Sequence, residues 1–134
     1  MITRKTDYAI RCVLHIAESG KKTVMIHEIA EKARIPRSFL AKILQRLAKA
    51  GIVTSLRGVK GGFKLAKKAS DISLLDVVEV MEGTVAMNMC AVDKKACSLS
   101  GSCCVHPVWV EIRKEVEARL KKMTFAKLLT SGMT

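Results

Sequence analysis

The chain has 134 residues, of which 49% are hydrophobic but only 4% aromatic, a composition that suits one domain with an aliphatic core. No apolar run reaches membrane-spanning length, and residues 1–10 lack the apolar stretch of a secretory signal, so we expect a cytoplasmic protein with no membrane partner. The net charge of +12 lies entirely in the first half, because residues 1–70 carry 16 Lys and Arg against 4 Asp and Glu, whereas residues 71–134 carry 8 of each. A uniformly basic protein would not show this asymmetry, which favours nucleic acid as the partner of the first half.

The chain begins with three predicted helices. The first covers residues 4–18, where apolar side chains recur at helical spacing, and Thr6 or Asp7 is expected to cap its N-terminus. A second helix covers about 25–33 and a third about 37–50.

A short turn at residues 34–36 joins the second and third helices, as in a helix-turn-helix. Pro36 favours this turn, since proline disfavours a helical residue before it. The third helix has one apolar stripe, and its basic and polar residues lie mostly off that stripe. The outer residues predicted to contact DNA are Arg37, Ser38, Lys42 and Arg46. A solvated face of an ordinary amphipathic helix gives the same pattern and remains the alternative for this helix taken alone.

A glycine-rich hairpin follows the third helix. Residues 52–56 and 63–65 are predicted strands, and the tip between them carries Arg57, Gly58 and Lys60. Glycines let a backbone approach a narrow groove, and an arginine at the tip can enter the minor groove. The pattern therefore predicts the wing of a winged helix, against the simpler alternative of a hairpin turn that merely needs glycine.

Two further helices and a short tail complete the predicted elements. A helix covers about 73–82, with Ser73 or Asp71 as its cap, and a long helix runs from Pro107 to about Met123. The long helix carries a narrow apolar stripe near heptad spacing, which predicts packing against its copy in a homodimer. Packing on its own domain is the alternative. A short last helix is predicted for residues 124–129.

The stretch 90–106 holds four of the five cysteines. The predicted metal ligands are Cys90, Cys97, Cys103 and His106, with Cys104 as a spare thiol or substitute ligand. Three thiolates and an imidazole form a complete soft-ligand set, and wide gaps between cysteines suit an iron–sulfur cluster as well as zinc. The spacing leaves both open, together with a metal-free thiol switch. The start of the long helix would favour an anionic thiolate cluster, because a helix N-terminus carries positive partial charge.

Several ordered motifs occur together along nearly the whole chain. They are TDYAI at 6–10, SFL at 38–40, AGIV at 50–53, the RG and GGF of 57–63, and the Cys/Cys/Cys/His loop. In these motifs the chain resembles winged-helix iron–sulfur-cluster transcription regulators of the IscR/NsrR type. The resemblance implies a homodimer that reads a pseudo-palindromic promoter site in double-stranded DNA, with a cluster that alters DNA affinity.

The resemblance also implies roles for particular residues. The three cysteines and His106 match an IscR-type ligand set for a 2Fe–2S cluster, although the first gap is one residue longer here. Asp7 matches an aspartate that ligates a 4Fe–4S cluster across the dimer in NsrR-type members. Ser38, Phe39 and Lys42 fall where the recognition helix of the family contacts DNA, and Arg57 falls on the wing. Ala41 stands where IscR-type members have a discriminating glutamate, so their operator preference is not carried over.

The sequence thus predicts a mainly α fold with a winged helix-turn-helix head, a small β-hairpin wing and a long C-terminal dimerisation helix. Its predicted regions are a DNA-binding region at 1–70, a linking helix and cluster-binding loop at 71–106, and a dimerisation helix and tail at 107–134. The predicted function is a cluster-controlled DNA-binding regulator, expected to be a repressor. A zinc-bound or thiol-switch regulator, or a metal or cluster carrier that docks an acidic partner, is the alternative. No catalytic motif occurs, so an enzyme is not expected.

Overall fold

The computed structural model describes residues 2–59, 61–85, 93, 95, 99 and 101–131. Its helices and strands, in chain order, are α1 (Arg4–Glu18), α2 (Ile26–Ala33), α3 (Arg37–Lys49), β1 (Val53–Leu56), β2 (Gly62–Leu65), a 3-10 helix (Ala69–Asp71), α4 (Leu74–Glu82), α5 (His106–Lys122) and α6 (Phe125–Thr130). This mainly helical arrangement with one small antiparallel hairpin confirms the predicted winged-helix class. None of the described helices combines the length and the apolar character that crossing a membrane requires.

The N-terminus of α1 corrects the predicted cap. The N-cap is Thr3, whose hydroxyl oxygen accepts from the Thr6 backbone N–H at 3.4 Å. Thr6 itself is fully buried in the first turn, and Asp7 lies in the same turn. The prediction of Thr6 or Asp7 was therefore wrong by three or four residues, because a threonine further upstream takes the extended backbone conformation that a cap needs.

One hydrophobic core joins helices from both ends of the chain. Its α1 contribution includes Cys12 and Val13, and α4 contributes Val77. The apolar stripe of α3 is buried as predicted, with Leu40 and Leu47 fully inaccessible to solvent. Burial of such aliphatic side chains stabilises the fold by about 2 kcal/mol each, so this stripe fixes the orientation of α3 and leaves its other side in solvent.

The C-terminal tail returns to the head of the molecule. Phe125, the first residue of α6, is fully buried, and its N–H donates to the Ile72 carbonyl at 2.9 Å. The Leu74 N–H donates to the Met123 carbonyl at 2.8 Å, so the entries of α4 and α6 are held side by side. Residues from both ends of the chain therefore share one core. The division of the chain into a DNA-binding region, a cluster-binding region and a dimerisation region remains a prediction.

The cap of α4 confirms the prediction of Ser73. The Ser73 hydroxyl accepts from the Asp76 N–H at 3.2 Å, and the Asp76 carboxylate accepts from the Ser73 N–H at 2.9 Å. This reciprocal pair satisfies two helix N-terminal donors and fixes where α4 begins. At its other end α4 stops at Gly83, shortly before the cysteine-rich stretch.

The hairpin is tied to the helices by a bridge at its second strand. Thr54 pairs with Lys64 and Leu56 with Gly62 across the two strands. Val24, just before α2, exchanges two backbone hydrogen bonds with Phe63 in β2, both 2.8 Å long. This bridge positions the hairpin relative to the N-terminus of α2.

Candidate nucleic-acid interface and cysteine segment

The turn between α2 and α3 sets the position of the third helix. Arg34 ends α2 in the left-handed conformation, with φ of 55°, and it is the only described residue other than glycine with a positive φ. Ile35 is buried at 3% exposure and anchors the turn, and Pro36 precedes the first residue of α3. This geometry confirms the predicted helix-turn-helix.

The solvent side of α3 carries the residues predicted to contact DNA. Arg37 and Lys42 are exposed, whereas Ile43 on the opposite side is buried. Ser38 is exposed, and Phe39 is 45% exposed despite its apolar ring. α3 therefore presents two cations, a hydroxyl and an aromatic ring to solvent, a set that suits phosphate and base contacts in a major groove.

Two residues of α1, Tyr8 and Arg11, support Phe39 although no sequence pattern assigned them to this surface. The Tyr8 and Phe39 rings lie 6.3 Å apart in a tilted arrangement, and the Arg11 guanidinium lies 4.9 Å from the centre of the Tyr8 ring. Arg11 also donates from Nη1 to the Ala33 carbonyl at 2.9 Å. The i, i+3 spacing of Tyr8 and Arg11 was the available signal, but their shared contact with two other helices is a tertiary feature.

Asp7 forms an ion pair within α1. Its Oδ2 lies 3.4 Å from Arg11 Nε, a distance at which the two charges attract although the hydrogen-bond geometry is not met. The side chain of Asp7 is 62% exposed, so the pair contributes little to stability. Its carboxylate is accessible, as the proposed role of ligand across a dimer would require.

Arg46 differs from the other outer residues of α3, because its guanidinium is engaged within the chain. Nη2 donates to the Val80 carbonyl at 2.8 Å and approaches the Met81 carbonyl at 3.5 Å. These carbonyls belong to the last turn of α4, where a cation is favoured by the helix dipole. Its predicted contact with DNA stays a prediction, and the structure gives it this additional structural role.

The wing tip is exposed and depends on close backbone approaches. Arg57 and Gly58 are exposed, and Val59 is 99% exposed. Lys60, the fourth predicted contact at this tip, lies outside the described residues. At Gly61 an added Cβ would lie 2.6 Å from the Leu56 carbonyl oxygen, so only glycine fits this turn without a shift. The tip therefore offers an arginine on a narrow, tightly folded support.

Glu82 links α4 to the start of α1. Its Oε2 accepts from the Thr3 N–H at 2.8 Å, from the Thr3 hydroxyl at 2.7 Å and from the Thr6 hydroxyl at 2.5 Å. The hydrogen bond from Thr6, followed by those from Thr3, lowers the pKa of Glu82 below its ordinary value. The last turn of α4 thus contacts both α1 and α3.

The structure describes part of the cysteine-rich stretch. Cys90 and Cys97 lie outside the described residues, whereas Cys103 and Cys104 are exposed. Within the described part of the chain, no three His, Cys, Asp or Glu side chains form a group that could hold a metal ion. The Cys103 N–H donates to the Leu99 carbonyl at 2.7 Å, which folds this segment back just before α5.

His106 is the first residue of α5, one residue earlier than the predicted start. Its Nδ1 is buried and has no hydrogen-bond partner among the described residues. An imidazole nitrogen in that condition can serve as a metal ligand, and Cys103 lies three residues before it. The donor chemistry of His106 and Cys103 therefore suits a soft metal or cluster, although these two residues alone do not form a complete ligand set.

Cys12 is unlike the other described cysteines. It is fully buried in the core, and burial raises the pKa of its thiol to about 12. A neutral buried thiol is neither a good nucleophile nor a ready metal ligand. Cys12 therefore serves as a small hydrophobic residue of the core.

The long helix α5 carries an apolar stripe that its own chain covers only in part, with Trp109 and Ile112 half-buried. No residue of α5 is buried, and Val108 is 48% exposed. Val105 before the helix and Met123 after it are 43% and 40% exposed. Apolar side chains that stay exposed at both ends of such a stripe are typical of a surface that another protein chain covers.

Comparisons with known proteins give a matching protein family and several similar proteins. A protein-family model described as Rrf2, an iron-dependent transcriptional regulator, matches residues 2–131. The chain is 34% identical over 129 residues to protein rrf2 of Nitratidesulfovibrio vulgaris, with 96% of this chain and 86% of that protein covered. It is 30% identical over 131 residues to the HTH-type transcriptional regulator IscR of Serratia proteamaculans, with 97% and 79% covered.

Two solved structures share the fold over nearly the full chain. IscR of T. potens superposes with a TM-score of 0.76 at 28% identity, covering 98% of this chain and 87% of that one. CymR, the global cysteine regulator of B. subtilis, superposes with a TM-score of 0.79, covering 98% and 97%. At 22% identity the second likeness is one of fold alone.

Proposed function

Because the chain belongs to the Rrf2 family of iron-dependent transcriptional regulators, we propose that it is a homodimeric, cytoplasmic repressor that binds a pseudo-palindromic promoter site under the control of an iron–sulfur cluster. The observation that carries the DNA-binding part is α3, whose apolar side is buried while Arg37, Ser38 and Lys42 face solvent. Relatives whose printed names call them transcriptional regulators support the same role.

In this proposal the two DNA-reading parts have different tasks. The recognition helix α3 reads base edges in the major groove through Ser38 and Phe39, and Arg37, Lys42 and Arg46 neutralise phosphates. The wing, with Arg57, Gly58 and Lys60, follows the adjacent minor groove. Two heads in a dimer would read half-sites centred about 10 base pairs, or one helical turn, apart.

The proposed cluster ligands are Cys90, Cys97, Cys103 and His106. The buried Nδ1 of His106, which has no hydrogen-bond partner among the described residues, supports a ligand role at the start of α5. A cluster held there, 2Fe–2S by preference and 4Fe–4S with Asp7 of the second protomer as the variant form, would supply a group that oxidants, nitric oxide or iron supply can change. Cys104 is the substitute thiol.

The proposed coupling between the cysteine stretch and DNA passes through the last turn of α4. Arg46 binds the Val80 carbonyl from the recognition helix, and Glu82 accepts hydrogen bonds from Thr3 and Thr6 of α1. A displacement of the stretch that follows Gly83 would therefore pull on both α3 and α1. The spacing of the two recognition helices would change as a result.

The test combines metal analysis with DNA binding. An anaerobic preparation should be brown and contain stoichiometric iron and sulfide, and a promoter fragment bound by the protein should show different affinities for the cluster-bound and cluster-free forms. Arg57→Ala should weaken DNA binding while iron content stays unchanged, and Cys97→Ala should lose iron first. Equal affinities of the two forms would refute control by the cluster.

A thiol switch or a structural zinc ion is the second candidate for the sensing part. The adjacent and exposed Cys103 and Cys104 favour it, because accessible thiols react with oxidants. Zinc without sulfide in the anaerobic preparation would support the zinc form. Failure to bind any promoter fragment at low salt would instead favour a carrier that docks an acidic partner.

A further inference from the structure

A second basic surface lies beside the wing, and the recognition residues do not include it. Five lysines line it: Lys21, Lys22, Lys64, Lys67 and Lys68. They come from the loop before Val24, from β2 and from the segment after β2. We define these lysines as the flanking groove.

The flanking groove is continuous and starts at the wing. One open cleft is lined by Val59 and Gly61 of the wing tip, and a second reaches Ala69 at the 3-10 helix. The two clefts share Lys21 and Lys64, so together they run from the wing tip along β2 to the 3-10 helix.

The charge of the flanking groove is almost uncompensated. Glu28 is the one acidic residue that lines either cleft among the described residues. None of the five lysines forms an ion pair with a carboxylate in the part of the chain that the structure describes. Five exposed ammonium groups without carboxylate partners repel one another, and a polyanion that binds along them removes this repulsion.

We propose that the flanking groove binds the phosphate backbone of duplex DNA immediately outside the half-site that the recognition helix and wing read. The inference rests on the proposed DNA-binding function. Duplex DNA is the occupant because the groove continues from the wing tip, so DNA that follows the wing passes directly onto it. Lysine suits this task, since it contacts phosphates as a point charge and carries no information about base sequence.

The test compares two lengths of one DNA site. A duplex selected by the protein from a random 30-base-pair library is used in two forms, one trimmed to the protected core and one with about 12 flanking base pairs on each side. Binding is followed by fluorescence anisotropy over a series of salt concentrations. Wild-type protein should bind the extended duplex more tightly and with a steeper dependence on salt, because it contacts more phosphates.

Two matched variants separate the flanking groove from general charge. Lys67→Gln/Lys68→Gln removes two exposed charges from the groove, and Lys121→Gln/Lys122→Gln removes two exposed charges from the end of α5. The proposed dimer has two copies of the groove, so the groove variant loses four charges. On the extended duplex it should bind at least roughly tenfold more weakly near 0.1 M salt, with a log–log slope lower by about 4. On the trimmed duplex the groove variant should bind with the affinity of the wild type. The α5 variant should bind both duplexes with wild-type affinity.

Each other outcome counts against the inference. If the groove variant binds the extended duplex with wild-type affinity, the groove does not bind DNA. An acidic protein surface would then be its expected partner. If the groove variant loses affinity equally on both duplexes, the lysines of the groove contact the core site and not the flank. If the library yields no duplex at all, it is the proposed DNA-binding function that has failed, which the selection step reveals before the variants are compared.

Discussion

Arg46 on the recognition helix donates from Nη2 to the Val80 carbonyl oxygen, 2.8 Å away, in the last turn of α4. The contact joins the helix proposed to read DNA to the element that leads into the cysteine-rich stretch. Glu82 lies two residues further along and ties the same turn to the cap of α1. Movement at the end of α4 therefore cannot leave α1 and α3 undisturbed while these hydrogen bonds hold.

Arg46→Gln should lower both stability and DNA affinity. The shorter neutral side chain loses the charge at the end of α4, and the free energy of unfolding should fall by about 1 kcal/mol. Urea denaturation measures this loss. Lys49→Gln, an exposed change one turn later on α3, is the control and should leave stability within about 0.5 kcal/mol. An Arg46→Gln protein as stable as the wild type would contradict the structural role of its contact with α4.

Glu82 should make stability depend on pH in the acidic range. Its pKa in the folded protein is below the ordinary value, because the carboxylate accepts hydrogen bonds from Thr6 and Thr3. The stabilisation is therefore fully present above the unfolded pKa, near 4.3, and is lost as the pH falls through the lower folded pKa.

The matched variants for this effect are Glu82→Gln and Glu79→Gln in the same helix. At pH 7 Glu82→Gln should melt at a lower temperature than the wild type, and the difference should shrink at pH 3.5. Glu79→Gln should show no such dependence. A melting-temperature difference for Glu82→Gln that is equal at both pH values would contradict the assigned role of the carboxylate.

Gly62→Ala should damage the wing where β2 leaves its tip. Gly62 has a φ of 156°, and a Cβ there would lie 2.6 Å from the Val24 carbonyl oxygen, which accepts from the Phe63 N–H. The bridge must move or break, so we expect a loss of about 2 kcal/mol in unfolding free energy. Gly101→Ala meets nothing within 4 Å and should change stability by less than about 0.5 kcal/mol. Equal values for the two variants would refute the steric argument.

Cys12 should resist alkylation in the folded protein. Its thiol is buried and its pKa is raised to about 12, so almost no thiolate forms at neutral pH. In metal-free protein at pH 8, iodoacetamide should modify Cys103 and Cys104 rapidly and should reach Cys12 only after urea is added. Peptide mass spectrometry gives the extent at each site. Labelling of Cys12 at the rate of Cys103 would mean that α1 opens readily.

Val108→Glu should separate the proposed dimer. Val108 is 48% exposed on α5, so the change should leave the fold of the single chain intact, whereas a carboxylate would be costly inside an apolar interface. Sedimentation equilibrium should show a dimer dissociation constant raised by about tenfold or more. Glu111→Gln on the same helix is the control. Dimers of unchanged strength would mean that another surface joins the two chains.

Local sequence signals were sufficient where one element decides its own structure. The α3 stripe from Leu40 to Leu47 is buried as predicted, because helical periodicity places these residues on one side. The hairpin could be predicted because glycine favours tight turns, and the cap at Ser73 because serine favours helix N-termini. Both preferences act within a few residues. The N-cap of α1 was missed, since Thr3 and Thr6 offer similar local signals and Glu82, which selects between their roles, is distant in sequence.

The sequence by itself determined the winged-helix class, the exposed basic side of α3 and the soft-ligand character of the cysteine stretch, because each depends on residue types at short spacing. Only the tertiary structure assigned Arg46 to the end of α4, brought Tyr8 beneath Phe39, and joined lysines from three separate segments into one groove. Hydrogen bonds act over a few ångströms in space, and screened electrostatic fields act over roughly 10 Å. The chain must therefore fold before residues far apart in sequence can combine in one surface.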